Sequence, residues 1–370
     1  GREDNFFALG GDSILSIQVV SRAYREGLEI SPRQMFENQT IAELAGVVGT
    51  RRVVEADQGM VTGAVPLLPI QRWFSRMHLE TRNHWNQSLF LEVHEWLDDE
   101  PLAQAVEALV LHHDALRLRF RAGADDWTQE IVGPDDESCF RSVDLSDVSL
   151  DDQVAAIERT AAEVQSSLSI TDGPLFRVVH ICLREDDSDR LLLVAHHLVV
   201  DVVSWRILAE DLELGYRQAA SGRPVRLPRK TTSYPVWARR WLDWANSEEA
   251  ARDASVWLER PWSAVCPLPV EGDVSANLEG RTCRLRTDVS EEITHALLRE
   301  VPAIHRTNVE ESLLTALGEV LVAWTGHKTV LVDVEGHGRE DVFDDLDVTR
   351  TVGWFASRFP LFLRGAGEDI

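Results

Sequence analysis

The spacing of apolar side chains changes along the chain, and the changes mark its parts. Residues 1–50 read as helical. In ILSIQVVSRAYREG the apolar positions Ile14, Ile17, Val20 and Ala23 recur at helical spacing, and Gly27 ends the run. SPRQMFEN carries a proline early in a short helix. TIAELAGVV places Thr40 as an N-cap with Glu43 three residues on, the pattern of a capping box. Residues 51–65, RRVVEADQGMVTGAV, have no clear period and hold two glycines, which predicts a linker.

From Leu67 the texture is mixed α/β. LAQAVEALVLHHDAL and DDQVAAIERTAAEVQSSL read as amphipathic helices. FRVVHICL and LLLVAHH are β-rich runs around the polar turn REDDSDR, which predicts a hairpin. SWRILAEDLELGYRQA reads as a helix ended by the Ser-Gly-Arg-Pro at 221–224. After the basic stretch RPVRLPRKTTSYP a second set begins. Its expected elements are WARRWLDWANSEEAARDASVWLE (helical), CRLRTDV (strand), SEEITHALLREV and VEESLLTALGEVLVAWTG (helices) and TVLVDVEGH (strand).

Composition narrows the function classes. The chain of 370 residues is long enough for two or three domains with cores that need no staples. A formal net charge of −25 argues against nucleic acid and anionic membrane surfaces as partners. No apolar run approaches a membrane span; LLLVA stops at a histidine pair. Cys139, Cys182, Cys266 and Cys283 are scattered without a CxxC pair, so metal and disulfide use are not expected and a reducing cytoplasm fits. The start, GREDNFF, lacks a methionine and a signal-peptide pattern, and the end closes no visible element; both read as cuts in a longer polypeptide.

Three places carry candidate chemistry. Ser13, in DNFFALGGDSI, sits at a glycine turn opening a helix, where it is either an N-cap or an exposed hydroxyl offered for modification. His196 and His197 end an apolar strand. Successive strand residues face opposite ways, so one ring faces a cleft while the other packs. A metal held by this pair and Asp201 would lack an evident further ligand. Asp201 begins a helix, where a carboxylate suits the dipole, and is open to pairing with Arg117. Glu335 ends a strand in the polar turn EGHGRE. A histidine and a glutamate on two faces of one carbon are what two-sided proton transfer needs. The acidic run DVFDDLD reads as a solvated loop.

These strings resemble known motifs. DNFFALGGDSI resembles the phosphopantetheine attachment motif of carrier domains in nonribosomal peptide synthetases, over residues 4–48; Asp12 before the serine is the form typical of carriers that feed an epimerization domain. The segment around His196 resembles the HHxxxDG motif of condensation and epimerization domains. That resemblance implies that His197 is the active-site base and that Asp201 lies in a buried ion pair. A second pair, His112 and His113 in LHHDALRLRF, matches a different motif, in which Arg117 is the expected partner of Asp201. EGHGRE with RTVGWFASRFP at 350–360 resembles the epimerization signature, which condensation domains lack. PIQRWF at 69–74 and HWNQS at 84–88 are further matches. The sequence departs from the pattern at Val202, where the family has glycine.

The resemblance implies an α/β fold of two lobes like chloramphenicol acetyltransferase, meeting in a V with a tunnel between them, behind a small helical carrier. The expected division is a partial carrier domain at 1–50, a linker at 51–65, an N-terminal lobe at 66–235 and a C-terminal lobe, cut short, at 236–370. The implied reaction is inversion at the α-carbon of an aminoacyl or peptidyl thioester on 4′-phosphopantetheine, covalently attached at Ser13. His197 and Glu335 would be the acid/base pair, supported by His196, Asp201 and Arg117, with Val202 in the tunnel and no metal. Implied partners are a phosphopantetheinyl transferase, an upstream adenylation domain and a downstream condensation domain. Two other readings remain open: a condensation-type acyl transferase, and a carrier-docking domain impaired by Val202.

Overall fold

The structure is a computed structural model that describes residues 1–7, 9–11, 15–16, 19–20, 22–23, 26–30, 32–50, 55–123, 126–135, 137–184, 188–265, 267–270, 282–305, 307–340 and 342–365. The chain divides into two compact units. One comprises Gly1–Arg51, Arg252–Gly336 and Arg358–Ile370; the other comprises Arg52–Ala251 and His337–Ser357.

In the first unit the residues described between Leu15 and Ala23 are helical and Val20 is buried, as the spacing predicts. Ser13, Ile14 and Ile17 lie outside the described residues. Strands β1 (Leu28–Glu29) and β2 (Gly49–Thr50) pair antiparallel around helices α1 (Pro32–Glu37) and α2 (Ile41–Val47). The expected capping box is present: the Glu43 N–H donates to Thr40 Oγ1 at 3.1 Å, and the Thr40 N–H donates to Glu43 Oε2 at 3.0 Å.

The second unit is built on two sheets. Strand β3 (Gly63–Val65) lies in a three-stranded antiparallel sheet beside β6 (Trp127–Ile131), which pairs with β5 (Leu118–Ala122). Gly63–Val65, the last residues of the segment read as a linker, form this short strand. A strand of three residues has too few positions to show an alternation in sequence.

A four-stranded sheet runs in the order β4 (Asn86–Glu92), β9 (Arg190–His196), β8 (Phe176–Cys182), β7 (Phe140–Asp144). The expected hairpin is β8–β9. The β7–β8 pair is parallel and needs a crossover, which helix α5 (Leu150–Ser166) supplies. Val164 and Leu168 pack with Val179, Ile181, Leu192 and Val194, so the even-numbered positions of β9 face α5. Around the sheets lie α3 (Pro69–Arg76), α4 (Asp99–His112), α6 (Val202–Ala220) and α7 (Tyr234–Ala245). Helices α4 and α6 pack against each other where Gly215 meets Ala105; a Cβ at Gly215 would lie 3.2 Å from that of Ala105.

The long helical run expected at 237–259 breaks at Asn246 and resumes as α8 (Glu248–Leu258). The remainder of the first unit contains α9 (Glu291–His295), which continues through a π turn at Ala296–Glu300 into α10 (Val301–His305). Helix α11 (Val309–Thr325) follows, with an Asn308–Glu311 capping box and a left-handed Gly326 at its end. Strands β10 (Thr329–Gly336) and β11 (Ser357–Arg364) pair with each other. The strand expected at CRLRTDV does not form. Residues 283–289 are exposed and outside any regular element, and Leu285 is 96% exposed. Alternation alone makes no strand when no neighbour takes up the backbone groups.

Candidate active site

Strand register places the key side chains of the second unit. In the antiparallel β4–β9 pair Asn86 is opposite His196 and Gln87 is opposite Ala195. Directly opposed residues share a face. Asn86 and His196 therefore point towards α5, and the Asn86 amide donates to the carbonyl of Gln165 at 2.9 Å. Gln87 points the other way, the face that the chain reaches again at His197 as β9 ends in a 3-10 turn, His197–Val199.

The two histidines are thus separated as the alternation requires, with His196 packed inside. It is fully buried, edge-on to Phe74 at 5.7 Å. Its Nε2 lies 2.8 Å from the carbonyl oxygen of Arg82, and its Nδ1 lies 3.1 Å from the Leu198 N–H. A carbonyl accepts and an amide N–H donates, so His196 is the neutral Nε2–H tautomer. Burial holds its pKa down to about 4, against the opposing pull of the Arg82 carbonyl.

His197 is only half-buried. Its Nδ1 lies 3.0 Å from the Val200 carbonyl and its Nε2 lies 2.9 Å from the side-chain amide of Gln87. The indole of Trp354 lies over the ring, centroid to centroid 4.5 Å. The Trp205 Nε1–H donates to Gln87 Oε1 at 2.8 Å. An indole N–H has no acceptor capacity, so it fixes which end of the Gln87 amide it meets. The other end, the NH₂, faces His197 Nε2. The ring therefore rests as the Nδ1–H tautomer with its Nε2 lone pair available, as a general base requires.

Asp201 follows four residues later. It caps α6 through Ser204 N–H to Oδ1 at 2.7 Å. Its carboxylate is also the partner of a fully buried guanidinium, and that guanidinium is Arg339. Arg339 Nη2 reaches both carboxylate oxygens, at 3.0 and 2.9 Å, and Nε reaches Oδ2 at 3.2 Å. The remaining donors of Arg339 go to the carbonyls of Val348 and Thr351, both at 2.8 Å, and to Ser204 Oγ at 3.1 Å. Its guanidinium stacks 3.9 Å from the centre of the Phe355 ring. Ser204 Oγ donates to the Gly353 carbonyl and accepts from the Gly353 N–H. Gly338 takes φ +66°, and a Cβ there would lie 1.8 Å from the Phe355 carbonyl oxygen, so this position of EGHGRE admits only glycine.

The expected pairing of Asp201 with Arg117 is corrected. Arg117 is fully buried elsewhere, with Asp114 at 2.6 Å and the carbonyls of Val110 and Val61 at 3.1 and 3.3 Å. Lys230 also pairs with Asp114, at 2.9 Å. A guanidinium already saturated by local carbonyls and the carboxylate three residues before it has no donors left for Asp201. The second histidine pair belongs to a related network. His113 Nε2 lies 3.0 Å from Asp211, whose other oxygen takes the Arg350 guanidinium. Burial, then the neighbouring His113, holds His112 down to about 3. Three side chains here lie within metal-binding reach of one another, but Arg350 already neutralises their one carboxylate.

Val202 is the first residue of α6, in helical conformation, and 56% exposed. A left-handed backbone at this position is therefore not a cost that valine bears. Glu335 lies in the first unit, on β10, exposed and on the same strand face as Asp333, which pairs with Arg358 at 2.6 Å. Sequence reasoning missed Arg339, Gln87 and Trp205, although each stands inside a string singled out there: EGHGRE, HWNQS and SWRILAEDLELGYRQA.

Residues 61–369 match the condensation-domain family, and residues 1–48 match the phosphopantetheine attachment site family. A linear gramicidin synthase polypeptide of Brevibacillus parabrevis is 47% identical over 369 residues, covering 100% of this chain and 5% of that protein. Surfactin synthase subunit 1 of Bacillus subtilis is 38% identical over 364 residues, covering 98% of this chain and 10% of that protein. The chain thus spans a small part of the length of the curated relatives it matches. The crystal structure of the epimerization domain from the third module of tyrocidine synthetase B superposes with a TM-score of 0.76 at 36% identity, over 85% of this chain and 70% of that one. The first condensation domain of the calcium-dependent antibiotic synthetase superposes with a TM-score of 0.61 at 20% identity, over 82% of this chain and 69% of that one, a likeness of fold. Among the described residues no helix is long and apolar enough to cross a membrane.

Two outcomes are expected from this geometry. The first concerns acid. An unfolded histidine takes up a proton below its ordinary value of 6.5, whereas folded His196 resists down to about 4. Between these values the unfolded state binds more protons, so stability falls as pH falls, by about 3 kcal/mol across the window from this residue. Urea titrations of the parent and His196→Gln from pH 7 to pH 4 should show a shallower loss for the variant; parallel loss would mean that His196 ionises freely in the fold. The second concerns the ion pair. Asp201→Ala should destabilise by about 3–5 kcal/mol, because it strands a buried guanidinium. Arg339→Met in the Asp201→Ala background should cost far less than it does alone. Additive losses, or an unchanged melting temperature for Asp201→Ala, would remove the pair from this role.

Proposed function

The chain belongs to the condensation-domain family and carries a phosphopantetheine attachment segment ahead of that domain, and from this premise we propose that it inverts the α-carbon of an aminoacyl or peptidyl thioester in nonribosomal peptide synthesis. The observation that carries the reading is the likeness to an epimerization domain, 36% identical over 85% of the chain, against 20% for a condensation domain of the same fold. The EGHGRE signature with Glu335 supports it. The proposed division is a partial carrier at 1–50, a linker at 51–65 and lobes at 66–235 and 236–370, within a cytoplasmic synthetase. The proposed partners are an upstream adenylation domain, a downstream condensation domain and a phosphopantetheinyl transferase.

The attachment atom on this reading is the Ser13 hydroxyl. Ser13 itself lies outside the described residues; near it Leu9, Gly10 and Leu15 are exposed, Gly11 is half-buried and Ser16 is buried. When bound, the 4′-phosphopantetheine arm supplies a thiol that carries the acyl group as a thioester, whose carbonyl acidifies the α-proton. The chain's own residues do the rest. His197 accepts or returns a proton at Nε2 on one face of the α-carbon. Glu335 does the same at its carboxylate on the other face. His196, by its buried hydrogen bonds, and Asp201, through Arg339, hold His197 and Trp354 in place. Arg117 supports the fold of the same unit rather than Asp201.

Deuterium exchange at the α-carbon of a carrier-bound aminoacyl thioester tests the reading in a synthetase module containing this chain. Glu335→Gln should slow exchange by about 10²–10⁴-fold, the usual contribution of a general acid/base, with the fold intact. A loss under about tenfold would favour a condensation-type acyl transferase, which has no need of Glu335. Binding of the carrier with no exchange by the parent protein would favour a docking domain. Val202→Gly should raise the initial exchange rate by removing an exposed isopropyl group at the start of α6. It should also cost at most about 1 kcal/mol of stability. Equal or slower exchange with glycine would mean that the valine is no impediment.

A further inference from the structure

We infer that Gln87 is a positioning residue that caps the reactive nitrogen of His197 and sets its resting proton state, and that Trp205 holds Gln87 in the orientation this requires. The inference rests on the reading of His197 as a proton carrier.

Donors and acceptors alternate along a single relay of hydrogen bonds. The Trp205 Nε1–H can only donate, and it donates to Gln87 Oε1 at 2.8 Å. The Gln87 NH₂ then meets His197 Nε2 at 2.9 Å, and can only donate to it. At the far side of the ring the Val200 carbonyl, 3.0 Å from Nδ1, can only accept. Both ends of the relay impose the same tautomer, Nδ1–H with a lone pair on Nε2. The placement is built by the fold: register sets Gln87 on the His197 face of β4, opposite Ala195, and the Asp201 cap fixes the start of α6 that carries Trp205.

Proton transfer has to break this relay. When Nε2 takes a proton it becomes a donor, and an NH₂ group cannot accept from it. The Gln87 amide must therefore leave Nε2 as the α-proton arrives, so that the substrate takes the place of the cap. The resting site is thereby held as a base with its lone pair occupied by a neutral donor, and the cap is exchanged for the C–H to be broken. The other ionisable groups on the elements packed around His197 do not supply this control. His196 is held neutral by the Arg82 carbonyl and the Leu198 N–H, and the Asp201–Arg339 pair is closed on itself beside Tyr234. His84 lies near His196, and the Arg82 guanidinium sits over Trp127.

The test is Gln87→Glu in the full chain, with the parent and variant labelled with ¹⁵N-histidine and ¹⁵N-glutamine and the His197 signals assigned by their absence in His197→Gln. A carboxylate at this position accepts from Trp205 Nε1–H and from a protonated Nε2, so it should hold His197 as the imidazolium. Its titration midpoint should rise by about one pH unit or more. The acid limb of the α-proton exchange profile should move up by the same amount. In the parent protein at neutral pH, the ¹⁵N shifts should show a protonated Nδ1 and a bare Nε2, with scalar coupling across the Gln87 Nε2–H bond to His197 Nε2. A bare Nδ1 with a protonated Nε2 in the parent, or an unmoved midpoint in folded Gln87→Glu, would overturn the inference. If Gln87→Glu does not fold, the parent spectrum decides alone. The ring spectra need no substrate, so a protein that shows the predicted spectra but no exchange would retain the cap and lose the epimerization reading.

Discussion

The second unit is organised around one buried ion pair, Asp201 with Arg339. Both groups are almost wholly removed from water, a costly placement unless every donor and lone pair is met. Here they are met. The Arg339 guanidinium reaches the carboxylate, two backbone carbonyls and a serine hydroxyl, and its face rests on Phe355. Burial pulls the Arg339 guanidinium below its usual range while Asp201 opposes that shift. The pair closes a loop of 138 residues, since Asp201 starts α6 and Arg339 follows β10 in the chain. It also brings the 351–356 segment onto the α6 start through Ser204 and Gly353, and that segment carries Trp354. The indole over His197 is thus held at one remove by a salt bridge that touches neither ring.

The ion pair in turn makes a fixed stage for one imidazole. His197 can be oriented from both nitrogens only because the elements supplying the partners are themselves locked. Val200 belongs to the turn that Asp201 ends, Gln87 to a strand in register with β9, and Trp205 to α6. Each partner is a separate segment of sequence, and only the closed fold makes them neighbours. A loss of the ion pair would therefore disturb the site through position rather than through charge.

Much of this was legible in the sequence, for reasons that are local. The capping box at Thr40, the β8–β9 hairpin, the helices of the second unit and the opposite facing of His196 and His197 depend on spacing within a few residues. The expectations that failed were long-range or lacked a partner. Arg117 precedes Asp201 by 84 residues and Arg339 follows it by 138, and nothing local in the chain chooses between two arginines. The structure chooses because Arg117 is already consumed by Asp114 and nearby carbonyls. Gly63–Val65 is a strand only because β6 lies beside it, and Cys283–Val289 is not one because no described neighbour pairs with it. The resemblance to known motifs implied His197 as the base and a buried ion pair at Asp201, yet it named neither Gln87 nor Trp205, whose hydrogen bonds orient that ring.

The histidine pair divides two demands that a single residue cannot meet. A ring that anchors a strand end must be buried and fully hydrogen-bonded, which makes it reluctant to take a proton. A ring that carries a proton must accept one easily and face open space. Adjacent positions on a strand satisfy both, because alternation sends one ring into the sheet and leaves the other at its edge. His196 is the anchor. Its nitrogens are spent on Arg82 and Leu198, and its resistance to acid is the measure of that burial. On the proposed reading His197 is the carrier, with one nitrogen tied to the backbone at Val200 and the other covered only by the Gln87 side-chain amide. A single histidine at the strand end would have to give up either its anchor or its reactivity. The doubled motif follows from the two-residue period of the strand itself.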